Sequence, residues 1–366
     1  MSMSDLPSLP DLPSIPLVDV RRGGPPEHAR LRRAAMLELR DACLSLVPGP
    51  LKGVVKPLDT ISSSWLRRSP SPYIRELEEI AAIAGRPGVW LVNASYEWGC
   101  TTRVEAAGAP TLWRTLDWPF RGLGRHVEVA LQEGPAGPFY NVTWPGAAGA
   151  LTALAPGRFA AAINQAPLFR RSRAAALLPA DILLNGLAAW RQSDRWPAAH
   201  LLRHAFETCR SFDEAVALLE CTPVAKPVLF SLAGVRPGEG CLIERTETDA
   251  AIHRGSLAVA NDWHAAGTWR SGSWIDRGIV VRGIANSDER CALLTSRPFA
   301  EPFEWLEAPV VNPMTRLAVE ASPADGMLRV VGYEPSPTSP TGVAPATSRF
   351  EGRFTVDAGG SPVSVS

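Results

Sequence analysis

The spacing of apolar residues changes character several times along the chain. Residues 1–17 alternate proline with serine, aspartate and leucine, a composition that suits an extended, disordered leader. Between 27 and 47, Leu31, Ala35, Leu37, Leu39, Cys43 and Leu46 fall near one stripe of a 3.6-residue period, which predicts an amphipathic helix. A second helix is expected over 72–84, with Ser71 as its cap, Pro72 in its first turn and Gly85 as its stop. From about residue 89 the runs become short and are bounded by glycine or proline. VWLVNASY, TLWRTLDW, HVEVALQE, GALTAL and RFAAAIN read as strands. Helical stretches follow near 174–191 and 197–220. VLFSLAGV and CLIERTE then flank the turn Arg236-Pro-Gly-Glu-Gly240 as a hairpin. SLAVAND, PVVNPMTRLAVEAS and MLRVVGYE supply the last strands, and residues 335–366, rich in Ser, Pro, Thr and Gly, read as a disordered tail. Strands, then helices, then strands predict an α+β fold: antiparallel sheets sandwiched under helices, not a doubly wound parallel sheet.

Charge narrows the function classes. The 37 basic residues balance the 37 acidic ones, which argues against a nucleic-acid binder with a broad basic surface and against polybasic membrane attachment. No apolar run reaches the roughly 18 residues that an integral membrane span needs. The six cysteines contain no CxxC pair, and the start of the chain lacks the basic and apolar regions of a signal peptide. A cytoplasmic protein with free thiols is therefore expected. Nucleotide-loop, GxSxG and HExxH signatures are missing, so no cofactor is expected. His200 and His204 stand four apart on a helical stretch; they read as structural, and no metal is expected.

One segment concentrates candidate chemistry. Asn93-Ala-Ser-Tyr-Glu-Trp-Gly-Cys100-Thr-Thr-Arg103 is followed by Leu112-Trp-Arg114-Thr-Leu-Asp117-Trp118, so Gly-Cys-Thr at a strand start precedes Arg-x-x-Asp-Trp on the next strand. This pair resembles the cysteine N-terminal-nucleophile hydrolases. The branch it is most similar to holds acid ceramidase and N-acylethanolamine acid amidase; choloylglycine hydrolases and penicillin acyltransferases are more distant. The resemblance extends from the helix PYIRELEEIAAIAG through Trp144-Pro-Gly146, Ile163-Asn164, Lys226-Pro, Gly238–Arg245, Ala260–His264 and Asn286–Arg290 to Pro309–Thr315, roughly residues 72 to 334. Where the family often shows Asn-Glu-Arg, this chain has Asn164-Gln165-Ala166.

The resemblance implies an αββα four-layer sandwich, with residues 18–99 as a helical pro-segment and 100–334 as the catalytic part. It implies self-cleavage between Gly99 and Cys100, which gives Cys100 a free α-amine. Such an amine, with a pKa near 7.7–8.0, takes the thiol proton near neutrality without a histidine. By carry-over, Arg114 sits beside the nucleophile, Asp117 holds the new amine, Asn261 donates to the oxyanion and Arg290 closes the charge network, with Arg277 and Arg282 as rivals for that last role. On an extended strand Arg114 and Asp117 face opposite sides, so a bulge or strand end must separate them. Trp118, Trp144 and Asn164 are candidate substrate contacts. The implied activity is hydrolysis of the linear amide of an N-acylated small molecule. Three alternatives stay open: an acyltransferase using the same acyl-enzyme, an unprocessed non-catalytic acyl-lipid-binding protein, and a papain-like thiol enzyme pairing Cys100 with His126. A small-molecule acyl amide is the expected partner, and homo-oligomerisation is left open.

Overall fold

The computed structural model describes residues 12–45, 49–94, 99–167, 177–264, 287–296, 298–356 and 362–365. Its first part is helical. After β1 (Leu17–Asp19) come α1 (Gly24–Leu31), α2 (Arg33–Leu44), a 3-10 turn (Gly49–Val54), α3 (Val55–Leu66), α4 (Ile74–Ala84) and α5 (Val89–Ala94). The expected single helix over 27–47 is two helices meeting at Arg32. The buried stripe of α2 is Met36, Leu39 and Cys43, spaced three and four apart, while Leu31 is exposed. Gly85 ends α4 in the left-handed conformation, φ 65°, which only glycine adopts without strain. Tyr73, not Ser71, takes the cap position of α4, and the Ser71 hydroxyl instead bonds His200 Nδ1 at 2.8 Å. The run VWLVN, expected as a strand, is the short helix α5. A brief apolar run carries no period that separates strand from buried helix, and packing against α3 and α4 decides it.

The strands follow as β2 (Gly99–Glu105), β3 (Thr111–Asp117), β4 (Glu128–Gly134), β5 (Gly137–Thr143), β6 (Thr152–Ala155) and β7 (Phe159–Gln165). Three helices intervene: α6 (Leu178–Arg191), α7 (Ala198–Thr208) and α8 (Phe212–Cys221). The helical stretch expected over 197–220 breaks in two because the Ser211 hydroxyl accepts the Glu214 N–H and starts α8 afresh. Next come β8 (Val228–Ala233) and β9 (Gly240–Arg245), the expected hairpin, then β10 (Ala250–Arg254), β11 (Leu257–Val259), α9 (Ser287–Thr295), β12 (Thr315–Ser322) and β13 (Met327–Pro335). The tail expected to be disordered adds β14 (Val343–Pro345), β15 (Phe350–Val356) and β16 (Pro362–Val365). Of these, β15 pairs antiparallel with β13, and Phe354 stacks on Tyr140 with ring centroids 3.6 Å apart. The end of the leader is likewise ordered. Ile15 is buried, and Leu17–Asp19 pairs in parallel with β4. Residues 1–11 of the leader lie outside the described residues.

Two sheets result, one ordered β1-β4-β5-β6-β7-β8-β9-β10 and the other β11-β2-β3-β12-β13-β15-β16 with β14 off β13. Among the described residues, every strand pairing apart from β1 on β4 is antiparallel, as the alternation of short strands and tight turns predicts. The sheets face each other across a core that includes Leu116, Val129, Val142, Leu154, Val319 and Leu328. Helices α7 and α8 cover the outer face of the first sheet through Leu202, Phe206, Val216 and Leu219. On the outer face of the second sheet, α9 and the 299–310 segment pack Leu294, Phe303, Trp305 and Val310. The layers are therefore helix, sheet, sheet, helix, and α1–α5 form a separate cluster around Leu66, Leu77, Ile80 and Trp90.

Candidate active site around Cys100

Strand β2 opens with Gly99 and Cys100, paired with Asp117 and Leu116 of β3. The two-residue alternation of a strand puts Cys100 and Thr102 on the face turned to the other sheet. It leaves Gly99 and Thr101 on the face turned to α9. Arg114, opposite Thr102, shares the face of Cys100. Its buried guanidinium spans the gap between the sheets. Nη1 donates to the Leu151 carbonyl at 2.6 Å and to Thr152 Oγ1, and Nη2 donates to the Ile163 carbonyl at 2.7 Å and to Cys100 Sγ at 3.2 Å. The backbone carbonyls fix the fork, so the cation is held against the sulfur by geometry.

Asp117 lies on the opposite side, as three-residue spacing requires. The bulge or strand end expected between Arg114 and Asp117 is not there: β3 pairs with β2 without a register shift from Thr111 to Asp117, so the two side chains keep opposite faces, and the extra residue, Arg316, is on the facing strand β12. Asp117 is completely buried. Its Oδ1 accepts from Thr315 Oγ1 at 2.8 Å, its Oδ2 accepts from Asn312 Nδ2 at 2.9 Å, and Arg290 Nη1 stands 3.9 Å away. Burial raises the carboxyl above its ordinary pKa, and the Arg290 charge and the two donors oppose that rise. A Cβ built on Gly99 would sit 3.2 Å from Asp117 Cβ and 3.4 Å from Oδ2, so the carboxylate lies directly across the Gly99–Cys100 junction.

Asn261 and Arg290 complete the cluster. The Cys100 N–H donates to Asn261 Oδ1 at 2.9 Å, and Arg290, on α9, donates to the same oxygen from Nη1 and Nη2 at 3.2 Å each. Arg290 also reaches the Cys100 carbonyl at 2.9 Å and Thr101 Oγ1 at 3.1 Å. Asn261 Nδ2 donates to the Gln165 carbonyl at 3.0 Å, so service to an oxyanion requires that bond to be shared or exchanged. Arg277 and Arg282 lie outside the described residues.

The other expected site residues divide. Trp118 and Trp144 are buried with ring centroids 6.1 Å apart, and both line an apolar cavity with Met36, Leu39, Val89 and Leu123. A smaller cavity at Cys100 is lined by Arg114, Leu116, Trp118, Leu151 and Gln165. Trp118 and Leu151 border both spaces, so the apolar cavity leads away from the sulfur. Asn164, expected at the substrate, lines neither. Its Oδ1 accepts from Thr102 Oγ1 at 2.6 Å, and its Nδ2 donates to the Val259 and Ala260 carbonyls, which pins the Asn261 loop to β2 and β7. Asn312, Thr315 and Ser287, whose hydroxyl accepts the Asn261 N–H at 3.0 Å, had no assigned role in the sequence. All three stood in the resembling blocks, Ser287 in Asn286–Arg290 and Asn312 and Thr315 in Pro309–Thr315, where the signal was present without a function.

The remaining thiols and histidines read as structural. Burial pushes Cys43 and Cys241 up to about 12. His200 is buried under Tyr73, and burial beside Arg203 lowers it to about 3; His204 stacks on Trp196. His126 lies near Glu38 at 3.8 Å, with no contact to Cys100. Among the described residues, no group of three or more His, Cys, Asp or Glu side chains is arranged to hold a metal.

No family model matches the chain. Bovine acid ceramidase is 24% identical over 220 residues, covering 54% of this chain and 53% of that protein, so the chain spans about half the length of the curated relative it matches. Among solved structures, the Caenorhabditis elegans ortholog of N-acylethanolamine-hydrolyzing acid amidase aligns with a TM-score of 0.46 and 20% identity, over 62% of this chain and 93% of that one. A mutant conjugated bile acid hydrolase from Clostridium perfringens aligns with a TM-score of 0.37 and 8% identity, over 70% and 97%. The chain is thus similar in sequence to acid ceramidase over about half its length, and Cys100 stands on β2 within helix–sheet–sheet–helix layers.

Proposed function

We propose that the chain is an amidohydrolase that cuts itself between Gly99 and Cys100 and then cleaves the linear amide of an N-acylated small molecule. The observation that carries this reading is the double embrace of one residue: Arg114 Nη2 on the Cys100 sulfur, and Asn261 Oδ1 on the Cys100 nitrogen. After cleavage that nitrogen is an amine able to take the thiol proton. Asn261 Oδ1 then holds the amine beside the sulfur, and the Asp117 carboxylate across the junction favours its protonated form. The thiolate, paired with Arg114, attacks the amide carbonyl. The oxyanion is stabilised by Asn261 and neighbouring N–H groups, an effect worth about 3–4 kcal/mol per donor in other hydrolases. The ammonium surrenders its proton to the departing nitrogen, the amine leaves, and water attacks the thioester to release the acid and restore thiol and amine.

The apolar cavity suits the acyl part. Its walls join α2 and α5 to the strands through Leu39, Val89, Trp118 and Trp144, so residues 18–99 remain a wall of the site after the chain is cut. An N-acyl amine, an N-acyl amino acid or a ceramide-like lipid fits this shape. Purified protein incubated with a panel of these substrates should release free amine, and Cys100→Ala should release none. Failure of every acyl amide with fully processed protein contradicts the proposed activity.

A further inference from the structure

The apolar cavity beside Cys100 carries polar atoms that its own walls do not satisfy. Among the described residues that border it, Trp118 Nε1 and His200 Nε2 are buried and have no hydrogen-bond partner. Asn93 and Trp144, on the same walls, are satisfied. Asn93 Nδ2 donates to the Val89 and Gly146 carbonyls at 2.9 Å each, and its Oδ1 accepts the Ala148 N–H at 2.8 Å. Trp144 Nε1 donates to the Leu123 carbonyl at 2.7 Å. A buried polar group without a partner is costly and uncommon, so two facing one apolar space call for a ligand that supplies what they lack.

Both atoms are donors. An indole nitrogen can only donate. For His200 the network around Ser71 decides. His200 Nδ1 meets Ser71 Oγ at 2.8 Å, and that oxygen already accepts the Tyr73 N–H at 3.3 Å. If Nδ1 held the ring proton, the Ser71 hydroxyl proton would have no acceptor among the described residues. With the hydroxyl donating to Nδ1, Ser71 is satisfied and the ring proton sits on Nε2. Burial, reinforced by Arg203, lowers His200 to about 3, so the ring is neutral and its Nε2–H suits a neutral oxygen rather than a carboxylate.

Position separates the two donors. Trp118 borders the small cavity at Cys100 as well, where every acyl amide presents its own carbonyl oxygen, so its N–H does not tell one acyl chain from another. His200 borders the apolar cavity and not the one at Cys100, so an acceptor for it must come from the part of the chain beyond the amide. We propose that the cavity selects an acyl chain oxygenated away from its amide, whose hydroxyl or ketone oxygen accepts a hydrogen bond from His200 Nε2. A plain hydrocarbon chain of the same length leaves that donor unpaired, and a site with a buried donor discriminates against the analogue that lacks the acceptor. The substrate class rests on the amide hydrolysis proposed above, whereas the binding preference does not.

The test compares amides of one amine and one acyl length, with the chain plain or carrying a single hydroxyl or ketone at successive carbons. In the processed enzyme kcat/KM should peak for one position of the oxygen, about tenfold above the plain chain. His200→Phe, which keeps a ring and removes the donor, should flatten that peak, and His200→Gln, which keeps an N–H donor, should retain part of it. The ratio of oxygenated to plain substrate is read within each variant, so a smaller folded fraction, which lowers both rates alike, does not move it. The same series is bound to the uncut Cys100→Ala chain and followed by intrinsic tryptophan fluorescence. A preference in binding without hydrolysis supports the inference and contradicts only the chemistry. Hydrolysis with no preference at any position overturns the inference and leaves the chemistry standing. A peak that His200→Phe preserves also overturns it, because the oxygen is then read by another group.

Discussion

His200 couples the pH dependence of stability to the seam between residues 18–99 and the rest of the chain. Its ring is buried, its Nδ1 meets the Ser71 hydroxyl at 2.8 Å, and it borders the apolar cavity. Burial, reinforced by Arg203, lowers its pKa from 6.5 to about 3. The folded chain therefore keeps His200 neutral across a range in which the unfolded chain binds a proton. The contribution to stability is fully present above pH 6.5 and is lost as pH falls from there toward 3, with a slope of about 1.4 kcal/mol per pH unit. At pH 4.5 the loss is about 2.7 kcal/mol. His200→Gln keeps a polar partner for Ser71 and removes the titration. Urea unfolding of the uncut Cys100→Ala chain, with and without His200→Gln, measured near neutrality and near pH 4.5, isolates the effect because every other titrating group is common to both. The parent should lose about 2–3 kcal/mol more on acidification than the variant. Parallel losses would refute a buried neutral His200 and the seam that depends on it.

Other consequences are equally specific. Cys100→Ser should cut itself slowly and lose most amidase activity, whereas Cys100→Ala should do neither; amine release by Cys100→Ala removes the nucleophile assignment. Asp117→Asn should lower kcat with the fold retained by circular dichroism, and unchanged turnover removes the carboxylate from the mechanism. Gly99→Ala brings a Cβ to 3.2 Å from Asp117 Cβ, so gel-resolved processing should slow severalfold; wild-type processing rates would show that the junction is not held where the structure places it. Val92→Trp, on the cavity wall, should shorten the preferred acyl chain. Each methylene excluded should cost about 0.8 kcal/mol, roughly fourfold in kcat/KM, and an unaltered chain-length profile places the acyl group elsewhere.

Much of this architecture is legible in short patterns. Turn-bounded apolar runs marked most of the strands, and the Arg236–Gly240 turn marked the β8–β9 hairpin. The spacing of Arg114 and Asp117 was legible as opposite faces of one strand, and the structure keeps them so: no irregularity brings them together, and Arg114 meets the Cys100 sulfur while Asp117 lies across the Gly99–Cys100 junction. What failed was whatever depends on distant packing. VWLVN has the residues of a strand and becomes α5 because α3 and α4 flank it. FEGRFTV alternates as a strand should, with Phe354 inward, but its neighbourhood of Ser, Pro and Thr disguised it. Asn164 was a candidate substrate contact because it stands where the resembled family often shows Asn-Glu-Arg. Only the three-dimensional pairing with Thr102 and Ala260 shows it binding strand to loop. The roles of Asn312 and Thr315 require knowing where the Asp117 carboxylate goes, which no local pattern contains.

The central claim is that Cys100 becomes the first residue of a new chain. Intact mass of the purified protein, followed by N-terminal sequencing of its fragments, tests this directly. Two fragments, the second beginning Cys-Thr-Thr-Arg, are the predicted result, with Cys100→Ala remaining whole. A single uncut chain that persists over a range of pH would contradict self-processing and with it the amine-activated nucleophile.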